Sequence, residues 1–192
     1  MAVTPSTMLA LGTDCPPFKL NDFKGDEYRH NDLMGAHGLV VMFISNHCPF
    51  VVHLKDELTR FAHDFGEAFG IVAIGSNDLS RYPQDGPEGM RADSERYGYP
   101  FPYLVDEDQT VALAFQAACT PDFYVFDRHH QLVYRGQFDH TRPGSGAEPT
   151  GVDLRNACTA LMEGRAVSAE QRPATGCNIK WKVGHEPAYF RT

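Results

Sequence analysis

The chain has 192 residues, of which 42% are hydrophobic and 22% charged. That is enough apolar residue for a substantial buried core in one soluble domain spanning 1–192. Its net charge of −8 at pH 7, with no cluster of Lys and Arg, is the wrong balance for a nucleic acid or an anionic membrane surface as main partner.

In chain order, Pro17–Leu20 is a short apolar piece followed by a polar turn over Asn21–Asp26. Leu39–Ile44 is continuously apolar, as in a strand covered on both faces. Phe50, Leu54, Leu58, Phe61 and Phe65 then recur at helical spacing, which predicts one helix over Pro49–Phe65 with Lys55, Asp56, Glu57 and Arg60 turned away from its apolar face. Ile71–Ile74 is a second buried strand ending in a polar Gly75–Asp78 segment. Tyr82–Gly89 reads as a Gly- and Pro-rich loop before a short helix over Glu88–Tyr97. A strand over Tyr103–Val105 and a helix over Asp108–Phe115, capped by acidic residues, come next. Asp122–Phe126 and Leu132–Gln137 flank a turn at Asp127–His130 and form a hairpin. After a loop over Arg142–Gly151, Asp153–Met162 is the last helix, ending at Gly164, and 165–192 is an extended tail. Alternating strands and helices with a final hairpin predict a mixed sheet flanked by helices.

The chemistry centres on Cys48. It follows a buried strand and the polar Ser45-Asn46-His47, and directly precedes Pro49 at a helix start. Unpaired N–H groups and partial positive charge at such a position favour thiolate. The flanking His47, as an imidazolium, would act in the same direction. The five cysteines, Cys15, Cys48, Cys119, Cys158 and Cys177, are an odd number without framework spacing. Catalytic or buried thiols in a reducing compartment explain them better than structural disulfides. Met1–Leu11 lacks the basic and apolar runs of a signal peptide, so the cytoplasm is the expected location. Cys158 shares a helical face with Leu154, Leu161 and Met162 and reads as core; Cys15 carries no assigned role. Asn77, Asp78 and Arg142 sit on loops that follow strands and could approach the site, but loop polarity alone explains them. His53 falls about 140° around a helix from Cys48, and no Cys–His spacing forms a zinc pattern, so no metal or cofactor is expected.

A second segment, Cys119-Thr120-Pro121-Asp122, opens an apolar strand with a Thr-Pro step, where proline is permitted and a cis bond would turn the chain sharply. Together with Asn46-His47-Cys48-Pro49-Phe50, Pro16-Pro17-Phe18-Lys19-Leu20 and the late Gly176-Cys177-Asn178-Ile179-Lys180-Trp181, it resembles the redoxin branch of the thioredoxin-like superfamily. That branch is the alkyl hydroperoxide reductase/thiol-specific antioxidant group; the resemblance is to its peroxiredoxin-like members and covers nearly the whole chain. It implies a thioredoxin-like α/β fold: a central mixed sheet flanked by helices, with an N-terminal strand extension and an extended C-terminal tail. In that fold a cis-proline loop faces the reactive cysteine.

The departures narrow the chemistry. A thioredoxin has a second cysteine three residues after the first, where this chain has Val51. The buried acid six residues before the first cysteine is replaced by Met42. The Pro and Thr that precede a peroxidatic cysteine are replaced by Val41 and Ser45. The expected activity is therefore a thiol-dependent oxidoreductase with antioxidant character, reducing a peroxide or a disulfide of a protein partner. Cys48 is its nucleophile, Cys119 the first choice and Cys177 the second for a resolving thiol, and Thr120, Pro121, Asn46 and His47 position the substrate. The alternative is a thioredoxin-fold binding or redox-sensing module without turnover, favoured by the losses at Val51 and Met42.

Overall fold

The computed structural model describes residues 3–190. Its elements run β1 (Val3–Pro5), β2 (Lys19–Asp22), β3 (Glu27–Arg29), β4 (Gly38–Phe43), α1 (Pro49–Val52), α2 (Lys55–Phe65) and β5 (Phe69–Gly75). A 3₁₀ turn (Pro83–Asp85) leads to α3 (Pro87–Tyr97), β6 (Tyr103–Val105), α4 (Thr110–Ala114), β7 (Cys119–Thr120), β8 (Asp122–Asp127), β9 (Leu132–Gly136), α5 (Val152–Met162) and β10 (Thr175–Asn178).

Seven strands form a mixed sheet in the order β3-β2-β6-β5-β4-β8-β9, with β4, β5 and β6 parallel and the rest antiparallel to their neighbours. β4 is wholly buried, and the two-residue period of a strand divides its side chains between two cores. Val40 and Met42 face Leu58, Phe61, Met90, Leu154 and Cys158, on the side covered by α2, α3 and α5. Leu39, Val41 and Phe43 face Phe18, Val111, Phe115 and the tail residues Ile179 and Trp181. The expected mixed sheet between helical layers is thus present, and Asp106 caps α4 through the Val111 and Ala112 N–H groups at 3.2 and 2.9 Å.

Two differences from the sequence pattern matter for the site. The single helix expected over Pro49–Phe65 is two: the chain tightens where the Leu54 N–H donates to Val51 O at 2.8 Å, and α2 starts afresh at Lys55. Lys55 and Glu57 also turn inward. Lys55 Nζ lies 2.5 Å from Asp93 and donates to Asn46 O at 2.9 Å, while Glu57 pairs with Arg60 and Arg155. Burial of these charges is tolerated because each has a partner.

The tail is extended, and part of it is a strand. β10 sits between β1 and β7 in a second, antiparallel three-stranded sheet. The pairings are three residues long on one side and two on the other, too short for an alternation pattern to announce them.

Asp122, at the start of β8, is fully buried beneath this small sheet, and Tyr124 Oη donates to it at 2.9 Å. Burial pushes its carboxyl up from 3.8 to about 7. The unfolded chain releases this proton near pH 4 and the folded one near 7, so the group's contribution to stability falls as pH rises between those values. Asp122→Asn should therefore gain stability on the wild type as pH is raised from 4 to 7, by on the order of a few kcal/mol, and hold that gain above it. Denaturant unfolding of both proteins across this range checks it; a pH-independent difference would contradict it.

Candidate active site

β4 and β5 run parallel and β8 runs antiparallel to β4, with Phe43 opposite both Ile74 and Asp122. The loops after β4 and β5 and the segment before β8 therefore meet at one end of the sheet, where ligands of open α/β sheets bind. Ser45–Cys48, Ser76–Asp78 and Cys119–Pro121 all lie there, and the Thr120–Pro121 bond is cis.

Cys48 is the N-cap of α1 and only 1% exposed. Its thiol donates to Thr120 O at 3.1 Å. The register of β10 on β7 sets Cys177 directly opposite Thr120, and directly opposed residues of an antiparallel pair share a face. That face is the one turned to Cys48, and the two sulfurs are hydrogen-bonded. This bond is the largest cause of a Cys48 pKa lowered to about 5; burial opposes it, and the Thr120 hydroxyl and the backbone N–H groups of Val51 and Cys177 reinforce it. The same bond, then burial, raises Cys177. Thr120 Oγ1 is buried with no oxygen or nitrogen partner, so it remains available to the sulfur once the thiol has lost its proton to become a thiolate.

Cys119 lies one residue earlier on β7, opposite Asn178 and therefore on the reverse face. Its thiol donates to Pro121 O at 3.6 Å, and burial, then the Asp122 carboxylate, push it well above the ordinary range. The structure brings Cys177, not Cys119, to the nucleophile. Cys158 and Cys15 sit in the two cores, both raised by burial, Cys15 to about 12.

The polar residues before Cys48 are held from below. The buried Asp85 carboxylate accepts from Ser45 Oγ at 3.1 Å and from the Asn46 N–H at 2.8 Å, and His47 Nδ1 lies 2.9 Å from it. The His47 ring stacks on Tyr82 at 5.6 Å, and Asn46 Nδ2 donates to Gln84 O. Asn46 and His47 are thus engaged within the protein, and His47 Nδ1 is committed to Asp85. Asp85 sits in the stretch that composition marks only as a loop, and no spacing signal points to it. Asn77 does reach the site, donating to Asp85 at 2.7 Å. Arg142 instead serves its own loop, through Asp139 O, Thr141 O and Gln137 Oε1. That loop, Phe50, His53, Pro121 and Thr175 line a shallow groove beside α1, with enclosed room of only about 20 Å³. Among the described residues no group of His, Cys, Asp or Glu is arranged to hold a metal ion, and no helix is long and apolar enough to cross a membrane.

Residues 11–135 match the AhpC/TSA family. An uncharacterized conserved protein from Geobacillus kaustophilus superposes with a TM-score of 0.92 at 50% identity, over 95% of this chain and 97% of its own. A hypothetical protein from Sinorhizobium meliloti 1021 gives a TM-score of 0.92 at 46% identity, over 94% of this chain and all of its own. Among curated relatives, the thiol-disulfide oxidoreductase ResA of Geobacillus kaustophilus is 26% identical over 136 residues, 67% of this chain and 70% of its own. The fold is thioredoxin-like, as the resemblance implied.

Two substitutions test the sulfur pair. Cys177→Ala removes the donor and should move the Cys48 ionisation, followed by ultraviolet thiolate absorbance, up from near 5 towards the ordinary thiol value of 9. A Cβ on Gly176 would stand 1.9 Å from Thr120 O and 2.6 Å from Thr120 C, both backbone atoms, so Gly176→Ala must push β10 off β7. It should shift the ionisation in the same direction with all five cysteines in place. Unmoved ionisation in both variants would show that Cys177 is not the donor.

Proposed function

The chain belongs to the AhpC/TSA family, and from that premise we propose that it is a thiol-disulfide oxidoreductase with Cys48 as nucleophile and Cys177 as resolving thiol. The observation that carries this reading is the register that sets Cys177 directly opposite Thr120, whose carbonyl accepts from the Cys48 thiol at 3.1 Å, so that the two sulfurs meet and their hydrogen bond lowers the Cys48 pKa. A thiolate is the attacking species in disulfide exchange.

In the forward direction, Cys48 attacks one sulfur of a substrate disulfide, forming a mixed disulfide and expelling the other sulfur as thiolate. Cys177 gives up its proton to that leaving thiolate or to solvent and attacks Cys48 Sγ. The Cys48–Cys177 bond forms and the second substrate thiol leaves. The substrate gains two electrons and the protein loses two, which an external dithiol returns.

A second reading is favoured by the burial of Cys48, which suits a small oxidant. Cys48 attacks a peroxide oxygen, an alcohol or water leaves, and the resulting sulfenic acid condenses with Cys177, releasing water and the same disulfide. Five buried thiols suit a reducing compartment, and we place the protein in the cytoplasm.

Mass mapping after stoichiometric diamide or hydrogen peroxide should find Cys48 joined to Cys177, in Cys119→Ser as in the wild type. Cys177→Ser should accumulate a mixed disulfide with a thiol substrate, or sulfenic acid with peroxide, and Cys48→Ser should abolish both. Turnover of a protein disulfide against consumption of peroxide separates the two oxidants. A Cys48–Cys119 bond, or none, would overturn the assignment of Cys177.

A further inference from the structure

The two cysteine-bearing segments are 129 residues apart in the chain and are joined at their bases by two side chains that touch neither sulfur. Asp85, 1% exposed, gathers the Ser45–His47 loop through the Ser45 hydroxyl, the Asn46 N–H and His47 Nδ1. Asn77, 5% exposed, donates through Nδ2 to Asp85 Oδ2 at 2.7 Å and accepts through Oδ1 from the Lys180 N–H at 2.8 Å. The neighbouring Asp78 N–H donates to Lys180 O at 2.7 Å, so the chain three residues beyond Cys177 is gripped on both sides of one residue. An amide suits this position because its two ends act separately, Nδ2 donating to a carboxylate and Oδ1 accepting from a backbone N–H.

We propose that Asp85 and Asn77 are positioning residues for the redox pair, forming a continuous bridge that sets the approach of Cys177 to Cys48. The proposal rests on the assignment of Cys177 as resolving thiol. β10 meets β7, the strand that faces Cys48, by only two residue pairs and the Ile179 N–H on Ala118 O, with three pairs to β1 on its outer side, so the sheet is a short clamp on the strand that carries Cys177. The bridge supplies a second anchor on the far side of the sulfur, from the same carboxylate that holds the nucleophile's loop. Loosening either end lowers the effective concentration of one sulfur at the other, which decides how readily an intramolecular disulfide forms.

The test uses the full-length protein in glutathione redox buffers, with the Cys48–Cys177 disulfide quantified by mass. Asp85→Asn and Asn77→Ala should each lower the equilibrium constant for this disulfide about tenfold, a shift of about 30 mV in potential. They should also move the Cys48 ionisation upward, a readout that loss of stability alone leaves in place. Asn77→Asp keeps the acceptor for Lys180 but sets a carboxylate against Asp85, and should fall with the other two. Should Asp85→Asn fail to fold, Asn77→Ser, which leaves Asp85 its three other donors, decides by the same criterion. Variants that fold and keep both the wild-type equilibrium constant within twofold and the wild-type ionisation would overturn the bridge. A wild type that forms no Cys48–Cys177 disulfide in any buffer would instead overturn the assignment of Cys177 itself.

Discussion

The pairing of Cys177 with Thr120 across β10 and β7 is the constraint on which the site depends. A slip of one residue would turn the opposite face of β10 towards Cys48, because side chains alternate along a strand. Asn178 or Gly176 would then stand where the thiol is, and the nucleophile would lose its donor. The close approach that fixes this register is possible because Gly176 lies against the Thr120 carbonyl with no room for a Cβ. Thr120 completes the arrangement: its carbonyl faces the Cys48 thiol and its hydroxyl is available to the thiolate, so neither protonation state is left without a partner.

Magnitudes decide what makes Cys48 reactive. A full-length helix offers about 0.3–1 kcal/mol to a charge at its N-terminus. α1, however, is one turn long and separated from α2 by the tightening at Leu54, so only the local N–H groups, Val51 among them, contribute. Burial works against ionisation. A hydrogen bond to a charged group contributes about 1.5–3 kcal/mol, and here the donor is itself a buried thiol. The sulfur pair therefore dominates over the helix end. The same pairing makes Cys177 the poorer acid.

The parts of this structure that were legible in the sequence are those with enough length to show a period. β4, β5, the hairpin of β8 and β9, and α5 follow from apolar runs and turn residues, and Cys48 follows from its place between strand and helix. The Thr120–Pro121 step was legible as well, and from it Cys119 looked the better partner, since it sits on the loop facing the nucleophile. Proximity along the chain does not specify the face of a strand; that took the register of β10, a four-residue strand in a polar tail whose partners, β1 and β7, are both far from it in the sequence. Asp85 was hidden for a related reason. Its loop is remarkable only for glycine and proline, and its role arises from the convergence of strand ends, a property of the sheet. Lys55 and Glu57 show the limit of the helical pattern: the stripe gives the apolar face correctly, yet charges beside it turn inward when partners such as Asp93, the Asn46 carbonyl and Arg155 await them.

Cys48 and Cys177 are 1% and 5% exposed, so on the proposed assignment the strand that carries Cys177 also covers Cys48. Access and resolution then compete for one element. A bulky disulfide has to displace β10 to reach Cys48, which removes the donor that keeps Cys48 ionised and carries Cys177 away from the sulfur it must attack. A small oxidant needs only a transient opening and leaves the pair in place. Short pairings, two residues on β7 and three on β1, put β10 among the segments that open most readily. The grip of Asn77 and Asp78 on Lys180 resists that opening beyond the sulfur; before it, the three pairs with β1, the Ser6 N–H on Ala174 O at 2.9 Å and the Gln137 N–H on Arg172 O at 3.0 Å hold the other end, so the strand is tied on both sides of Cys177.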